Sequence, residues 1–193
     1  RPGTNVTGTS DLTPVYRQLE LIQDMMPRAK RVGILYNPGE TNSLVQLELA
    51  RAAAKDLGLT IVEAPVSNSS GVHQSAQALI GRVDAIYVPT DNTVVSALES
   101  VIMVAESAKL PLIAGEIDSV ARGALATVSL DYYSLGRQTG KMAVKILVEG
   151  ADPATMPIEY LHDVSLVFNL GAAKRMGITI PPTLIEAADQ IME

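Results

Sequence analysis

The sequence predicts an α/β fold, an open parallel sheet with helices on both faces. Short apolar runs of strand length recur along the chain, separated by helical patterns of roughly 10–18 residues, the signature of βαβ units. Val, Ile, Leu and Ala supply the interior, with one Phe, six Tyr and no Trp, as buried parallel strands require. Most of the apolar runs end in a polar cluster, where an open parallel sheet binds ligands.

The elements follow in order. Ser10-Asp-Leu-Thr-Pro14 opens the first helix, with Thr13 as N-cap and Pro14 at the first helical position. Leu19, Ile22 and Met26 form its apolar stripe and Pro27 ends it. The first strand is Val32–Tyr36. A helix capped within Thr41-Asn-Ser43 follows, with Leu44, Leu47, Ala50 and Leu57 on one side and Gly58 as its stop. Next come a strand at Leu59–Ala64, a Ser/Asn loop and a helix from Val72 to Ile80. The strand Val83–Val88 leads into a helix from Thr93 to Ala108. The strand Leu110–Ala114 leads to a short helical turn at Ile117–Arg122. The strand Ala124–Ser129 leads to a helix from Tyr132 to Val148, closed by Gly150. Asp152-Pro-Ala-Thr-Met-Pro157 reads as a linker-like loop and Val164–Phe168 as the last strand. Two short helical pieces flank Pro181-Pro182.

Composition narrows the function. At 193 residues, the chain fits one domain, or one domain with a partial second. The net charge of -6 is spread out, so a basic footprint for nucleic acid is absent and no nucleic-acid partner is expected. No apolar run reaches the ~18 residues of a membrane span. Cysteine is absent, which excludes disulfides, thiolate metal sites and a Cys nucleophile. His73 and His162 have no ligand-spaced partner, and glycine-rich dinucleotide, P-loop and nucleophile-elbow motifs are missing; no metal, cofactor or catalytic residue is expected. The chain opens at Arg1-Pro-Gly-Thr-Asn-Val-Thr-Gly8 without an initiator Met. It is therefore expected to be a mature or truncated product, and localisation is not read from its terminus.

The strand-end loops supply the candidate binding residues. In Asn37-Pro-Gly-Glu-Thr-Asn-Ser43, Thr41, Asn42 and Ser43 with the helix-start amides suit an anion such as a carboxylate; the alternative is an ordinary turn capped by Asn42 or Ser43. In Pro89-Thr-Asp-Asn-Thr93, Thr90, Asp91 and Asn92 are more polar than capping requires, which points to ligand contact, although Asp91 or Asn92 also serves as an N-cap. Gly115-Glu-Ile-Asp118 puts Glu116 and Asp118 past a buried strand. With Asp91, such acids hold an ammonium group or do acid/base work; a solvated turn is the alternative. Asp131, before Tyr132-Tyr133, reads as a helix cap.

Longer strings carry a resemblance. They are Val6-Thr-Gly8, Pro27-x-x-Lys30-Arg-Val-Gly-Ile-Leu-Tyr-Asn37-Pro-x-Glu40-x-Asn42-Ser43, Asp84-Ala-Ile-Tyr-Val-Pro-Thr-Asp-Asn92, Gly123-Ala-Leu-Ala126 and Asp131-Tyr-Tyr-Ser-Leu-Gly-Arg-Gln-Thr-Gly140. From about Val6 onward the chain resembles the substrate-binding proteins of ABC importers, in the family of tryptophan- and tyrosine-type binding proteins. The resemblance implies one lobe of a type I periplasmic-binding-protein, flavodoxin-like fold, in which two lobes close on a ligand by a hinge. It also implies a periplasmic site, or an anchor outside the cell membrane, and an ABC permease as partner. Family members carry a whole amino-terminal lobe before the Val-Thr-Gly segment. Residues 9–129 and 158–193 are thus expected to form the carboxyl-terminal lobe. Residues 1–8 and 130–157 are expected to be hinge crossings and a helical piece of the other lobe. By the same resemblance, Asn42, Ser43, Asp91, Asn92, Glu116 and Asp118 face the interlobe cleft.

The expected function is therefore binding of a small solute, an amino acid and by family an aromatic one, without catalysis. The alternative is a flavodoxin-like enzyme or a receiver-type signalling domain using strand-end carboxylates such as Asp91. A receiver also needs an acidic pair after its first strand and a Lys near its last, and the chain offers Asn37 and no such Lys. The Tyr132–Val148 helix carries Leu135, Met142 and Ile146 on one face, with Gly136, Gly140 and Ala143 allowing close approach. Without a second lobe, that face is expected either to swap onto a second copy of the chain or to pack irregularly on its own lobe.

Overall fold

The structure, a computed structural model, describes residues 2–193. In chain order its elements are β1 (Thr9–Ser10), α1 (Val15–Met25), β2 (Arg31–Tyr36), α2 (Thr41–Leu57), β3 (Thr60–Pro65), α3 (Val72–Gln77), β4 (Ala85–Val88), α4 (Asn92–Ser96), α5 (Leu98–Ala108), β5 (Leu112–Ala114), α6 (Ile117–Arg122), β6 (Ala126–Leu130), α7 (Tyr132–Leu147), β7 (Glu159–Tyr160), β8 (Val164–Asn169), α8 (Leu170–Met176), α9 (Pro182–Glu186) and β9 (Gln190–Met192). They fall into two compact units. The larger is Pro14–Ser129 with Ser165–Glu193; the smaller is Arg1–Thr13, described from residue 2, with Leu130–Val164.

The larger unit holds a seven-stranded sheet in the order β3-β2-β4-β5-β6-β8-β9. The pairs β2–β3, β2–β4, β4–β5, β5–β6 and β8–β9 are parallel. The chain steps outward from β2 to β3, then returns across the sheet through β4, β5 and β6. Right-handed crossovers put the helix of the outward step on one face and the helices of the return steps on the other. Accordingly, α1 packs with α2, whereas α5 packs with α3, α6 and α8.

The central strands read as continuous apolar runs because both of their faces are covered. Val32, Ile34, Leu35, Ile86, Tyr87, Val88, Leu112 and Ile113 are fully buried. Register between β2 and β4 is pinned at the strand starts, where Asp84 Oδ2 accepts from the amides of Lys30 at 2.9 Å and Arg31 at 2.8 Å. The edge strand β3 is only partly covered, and it ends in Pro65, whose missing N–H is tolerated at an edge.

Several boundaries differ from expectation for identifiable reasons. The helix expected over Thr93–Ala108 breaks at Ala97 (φ -121, ψ 28) into α4 and α5. Ser96 Oγ donates to the Thr93 carbonyl at 2.8 Å, a local bond that competes with the helical ladder. Pro14, not Thr13, is the N-cap residue of α1, and Thr13 Oγ1 is buried without a partner. Helix α2 is capped at Glu40 rather than at Asn42 or Ser43, because those two side chains bond to another loop. It stops at Gly58 in the left-handed conformation (φ 67), as expected. The strands β1, β7 and β9, each only two or three residues long, have too few positions to show a period.

In the smaller unit, β1 and β7 pair in parallel, Thr9 with Glu159 and Ser10 with Tyr160. Helix α7 packs on β1, and the Thr9 and Thr139 hydroxyls meet at 2.6 Å. Asp131 caps α7, accepting from the Tyr133 amide at 2.8 Å. The expected α7 face is covered within the chain. Leu135 and Met142 are buried and Ile146 is half-buried. The outward apolar residues are Tyr133, Val144, Leu147 and Val148. A Cβ added at Gly136 or Gly140 meets nothing within 4 Å, so neither glycine serves a close approach within this chain.

Candidate binding site at the strand ends

Because β2, β4 and β5 are adjacent and parallel, their following loops share one edge of the sheet. The loops after β4 and β5 touch through backbone: a Cβ on Gly115 would lie 2.9 Å from Thr90 N and 3.0 Å from Pro89 C. Only glycine permits that approach. The loops after β2 and β4 are joined through side chains. Asn42 Nδ2 donates to the Thr90 carbonyl at 2.8 Å. The loops that carry Asn42, Thr90 to Asn92 and Glu116 therefore lie side by side at one end of the sheet.

Within that rim the residues differ in availability. Thr41, Asn42 and Asn92 are exposed and Thr90 is half-buried. Ser43 and Asp91 lie beneath the surface. Asp91 is 1% exposed. Its Oδ2 accepts from Asn37 N at 2.5 Å and from Ser43 Oγ at 2.5 Å, and its Oδ1 caps α4 by accepting from Val94 N at 2.8 Å. This corrects the expectation that Asp91 and Ser43 offer their polar atoms to a ligand. Burial and internal partners consume both, and Asp91 is a brace between two loops. The same burial removes the basis for a phosphorylatable Asp91.

Glu116 is also turned inward on its own chain. Its two oxygens each accept from the Ser119 amide at 3.0 Å, and Oε1 also accepts from the Ser119 hydroxyl, capping α6. Asp91 and Glu116, expected as a two-acid ammonium site, are each engaged within the chain, Asp91 by Asn37, Ser43 and Val94 and Glu116 by Ser119. Asp118 is exposed on the first turn of α6.

The residues that organise the rim went unrecognised as such in the sequence. Glu40 reaches across to the start of α4. Its Oε1 accepts from Thr93 N at 3.0 Å and Thr93 Oγ1 at 2.7 Å, and its Oε2 from Asn92 N at 3.0 Å and Asn92 Nδ2 at 2.7 Å. Burial opposes its ionisation, but the Thr93 and Asn92 side chains and both amides outweigh that, holding its pKa at about 2. Gln46, 3% exposed, grips Thr90. Gln18, fully buried, donates to the carbonyls of Gly115 at 3.1 Å and Val128 at 2.8 Å and accepts from the Tyr87 hydroxyl at 2.6 Å. A signal for both glutamines existed: Gln18 stands with Leu19 and Ile22, and Gln46 with Ser43, Leu47 and Ala50, on the buried helical stripes.

Among the described residues, no cluster of His, Asp or Glu has the spacing to hold a metal ion, and no helix is long and apolar enough to cross a membrane.

A parallel sheet whose neighbouring loops meet at one polar rim defines an open-sheet α/β protein, the class in which ligands sit at the carboxyl ends of the strands. The profile of the family described as ABC transporter substrate binding protein matches residues 1–192, and the chain belongs to that family. A tyrosine-binding protein of Clostridioides difficile (strain R20291) is 39% identical over 178 residues, covering 92% of this chain and 51% of that protein. A crystal structure of a conserved domain protein from Vibrio cholerae is 40% identical with a TM-score of 0.93, covering 98% of this chain and 64% of the other. The ABC domain from Streptococcus pneumoniae in complex with L-Trp is 38% identical with a TM-score of 0.91, covering 100% of this chain and 66% of the other. The fold is that of the type I periplasmic-binding proteins. The chain spans about half the length of the curated relatives it matches, 51% and 55%.

Proposed function

We propose that this chain is part of the solute-binding component of an ABC importer and that the solute is an amino acid with an aromatic side chain. The observation that carries the reading is the polar rim at the carboxyl ends of β2, β4 and β5 in a member of this family. The ligand named for the L-Trp complex and the name of the tyrosine-binding relative supply the chemical class. The exposed rim residues Thr41, Asn42 and Asn92, with half-buried Thr90, contact the ligand, and Glu116 and Asp118 border them. Residues 130–157 and the first residues of the chain belong to the second lobe and its crossings. The protein works outside the cytoplasm, in the periplasm or tethered to the membrane, and hands its solute to a permease. Self-association through α7 would use Leu147 and Val148, which are 82% and 78% exposed, rather than the buried Leu135 and Met142.

The test is calorimetric titration of the complete mature protein containing this chain against a panel of free amino acids. Saturable heat with L-Tyr or L-Trp, and little with Asp, Lys or Gly, is expected. Absence of heat with every aromatic amino acid at millimolar concentration would overturn the reading.

A further inference from the structure

The hydrogen-bond polarity of the rim is fixed by partners that can act in one sense only. The Thr90 backbone N–H can only donate, and it donates to Gln46 Oε1 at 3.1 Å. Gln46 Nε2 therefore faces the Thr90 carbonyl, at 3.4 Å, and the Thr90 hydroxyl. An amide nitrogen has only protons to give, so Thr90 Oγ1 accepts from it. The Thr90 hydroxyl proton then points away from Gln46, and no described residue accepts it. Asn42 obeys the same logic. Its Nδ2 meets the Thr90 carbonyl, an obligate acceptor, at 2.8 Å, which leaves Oδ1 on the exposed side. Asn92 Nδ2 meets the Glu40 carboxylate at 2.7 Å, and its Oδ1 is likewise left over. The rim thus leaves the Thr90 hydroxyl proton as a donor and the Asn42 and Asn92 side-chain oxygens as acceptors, beside the second amide proton of each Asn, while Asp91 and Glu40 spend their charges internally.

We infer that Gln46 is a positioning residue that sets Thr90 as a hydrogen-bond donor to the carboxylate of the ligand, and that the side-chain oxygens of Asn42 and Asn92 accept from its ammonium group. This assignment rests on the amino-acid reading above. It replaces a charged clamp with neutral dipoles of fixed direction, so recognition depends on the sense of each hydrogen bond rather than on net charge.

The experiment is a set of cycles between residue and ligand on the complete mature protein. L-tryptophan, L-tryptophanamide and 3-(indol-3-yl)propionic acid are titrated calorimetrically into the wild type and variants. Thr90→Val, which keeps shape but removes the donor, is expected to weaken L-tryptophan by about tenfold or more and the amide much less. Thr90→Ser is expected to restore the preference for the acid. Gln46→Glu must accept where Gln46 donates, so it draws the Thr90 proton inward; it is expected to mimic Thr90→Val in the acid-to-amide ratio. Asn42→Leu removes the Oδ1 acceptor and also the Nδ2 bond to the Thr90 carbonyl, so it is expected to weaken both ligands, L-tryptophan by about tenfold more than the amine-free acid. Equal losses for acid and amide in Thr90→Val and Gln46→Glu, or no loss in either, overturn the carboxylate assignment. Equal losses of L-tryptophan and the amine-free acid in Asn42→Leu overturn the ammonium assignment. A wild type that binds neither L-tryptophan nor L-tyrosine sinks the amino-acid reading itself, an outcome separate from a binding wild type whose variants fail to discriminate.

Discussion

Glu40 and Thr93 lie on different loops, yet the Glu40 carboxylate takes both the amide and the hydroxyl of Thr93 on a single oxygen, at 3.0 and 2.7 Å. Glu40 is the N-cap residue of α2, but its side chain satisfies the first turn of α4 instead. Asp91, the N-cap of α4, reciprocates by holding the Asn37 amide and the Ser43 hydroxyl on the other side. Two helices thus start from one shared carboxylate lattice.

The lattice titrates. The Glu40 pKa falls from the ordinary 4.5 to about 2 on folding. A depressed carboxyl pKa contributes stability above the unfolded value, and that contribution is lost as pH falls through the folded one. Glu40→Gln is therefore expected to destabilise the protein by about 1–3 kcal/mol at pH 7, with the deficit shrinking between pH 4.5 and about 2. Urea denaturation of both proteins across that range checks it, and a deficit independent of pH would count against the ionised cap.

Asp91→Ala strips partners from the Asn37 amide, the Ser43 hydroxyl and the Val94 amide together. The expected loss of stability is about 3 kcal/mol or more, since each unsatisfied buried group costs about 1–3 kcal/mol. Chemical denaturation followed by circular dichroism measures it. A variant of unchanged midpoint that merely lost ligand affinity would place Asp91 in the binding contacts instead.

Gly115→Ala drives a methyl into the Thr90 amide at 2.9 Å, against backbone rather than a flexible side chain. A penalty of about 1–3 kcal/mol is expected from overpacking, along with weaker ligand binding as Thr90 is displaced. Thermal unfolding and titration together test this. Gly136→Ala serves as the control, because its added Cβ meets nothing within 4 Å and leaves stability unchanged or slightly improved.

Gln18 and Tyr87 form a coupled pair beneath the rim. Gln18→Leu is expected to cost about 2–3 kcal/mol by removing the bonds that Gln18 makes to the Tyr87 hydroxyl and to the Gly115 and Val128 carbonyls. Tyr87→Phe is expected to cost about 1 kcal/mol. The double variant should fall short of the sum by at least about 0.5 kcal/mol. Strict additivity in a denaturation cycle would show that the two side chains act independently.

The alternation of strand and helix was readable because buried parallel strands are continuous apolar runs, as in Val83–Val88, and because Gly58 announces a stop. The break at Ala97 was not, because it depends on one hydroxyl choosing a carbonyl. At the candidate site, the sequence put Thr41, Asn42, Thr90, Asn92 and Glu116 in the loops after three strands that prove to be neighbours. It did not tell which polar atoms look outward. Asp91 and Asn92 are neighbours in sequence and equally polar, yet one is buried and the other exposed. That division is made by Asn37 and Ser43, which lie some fifty residues away along the chain (54 and 48).

The exposed position of Thr41, at the first residue of α2 and beside Asn42, has a practical use in a chain that contains no cysteine. A thiol introduced there would be unique in this sequence. A fluorophore attached to it would sit next to the rim without disturbing the buried carboxylates, and under the proposed function its emission would report the arrival of a solute in real time. The same scaffold could thereby be turned into a reagentless sensor.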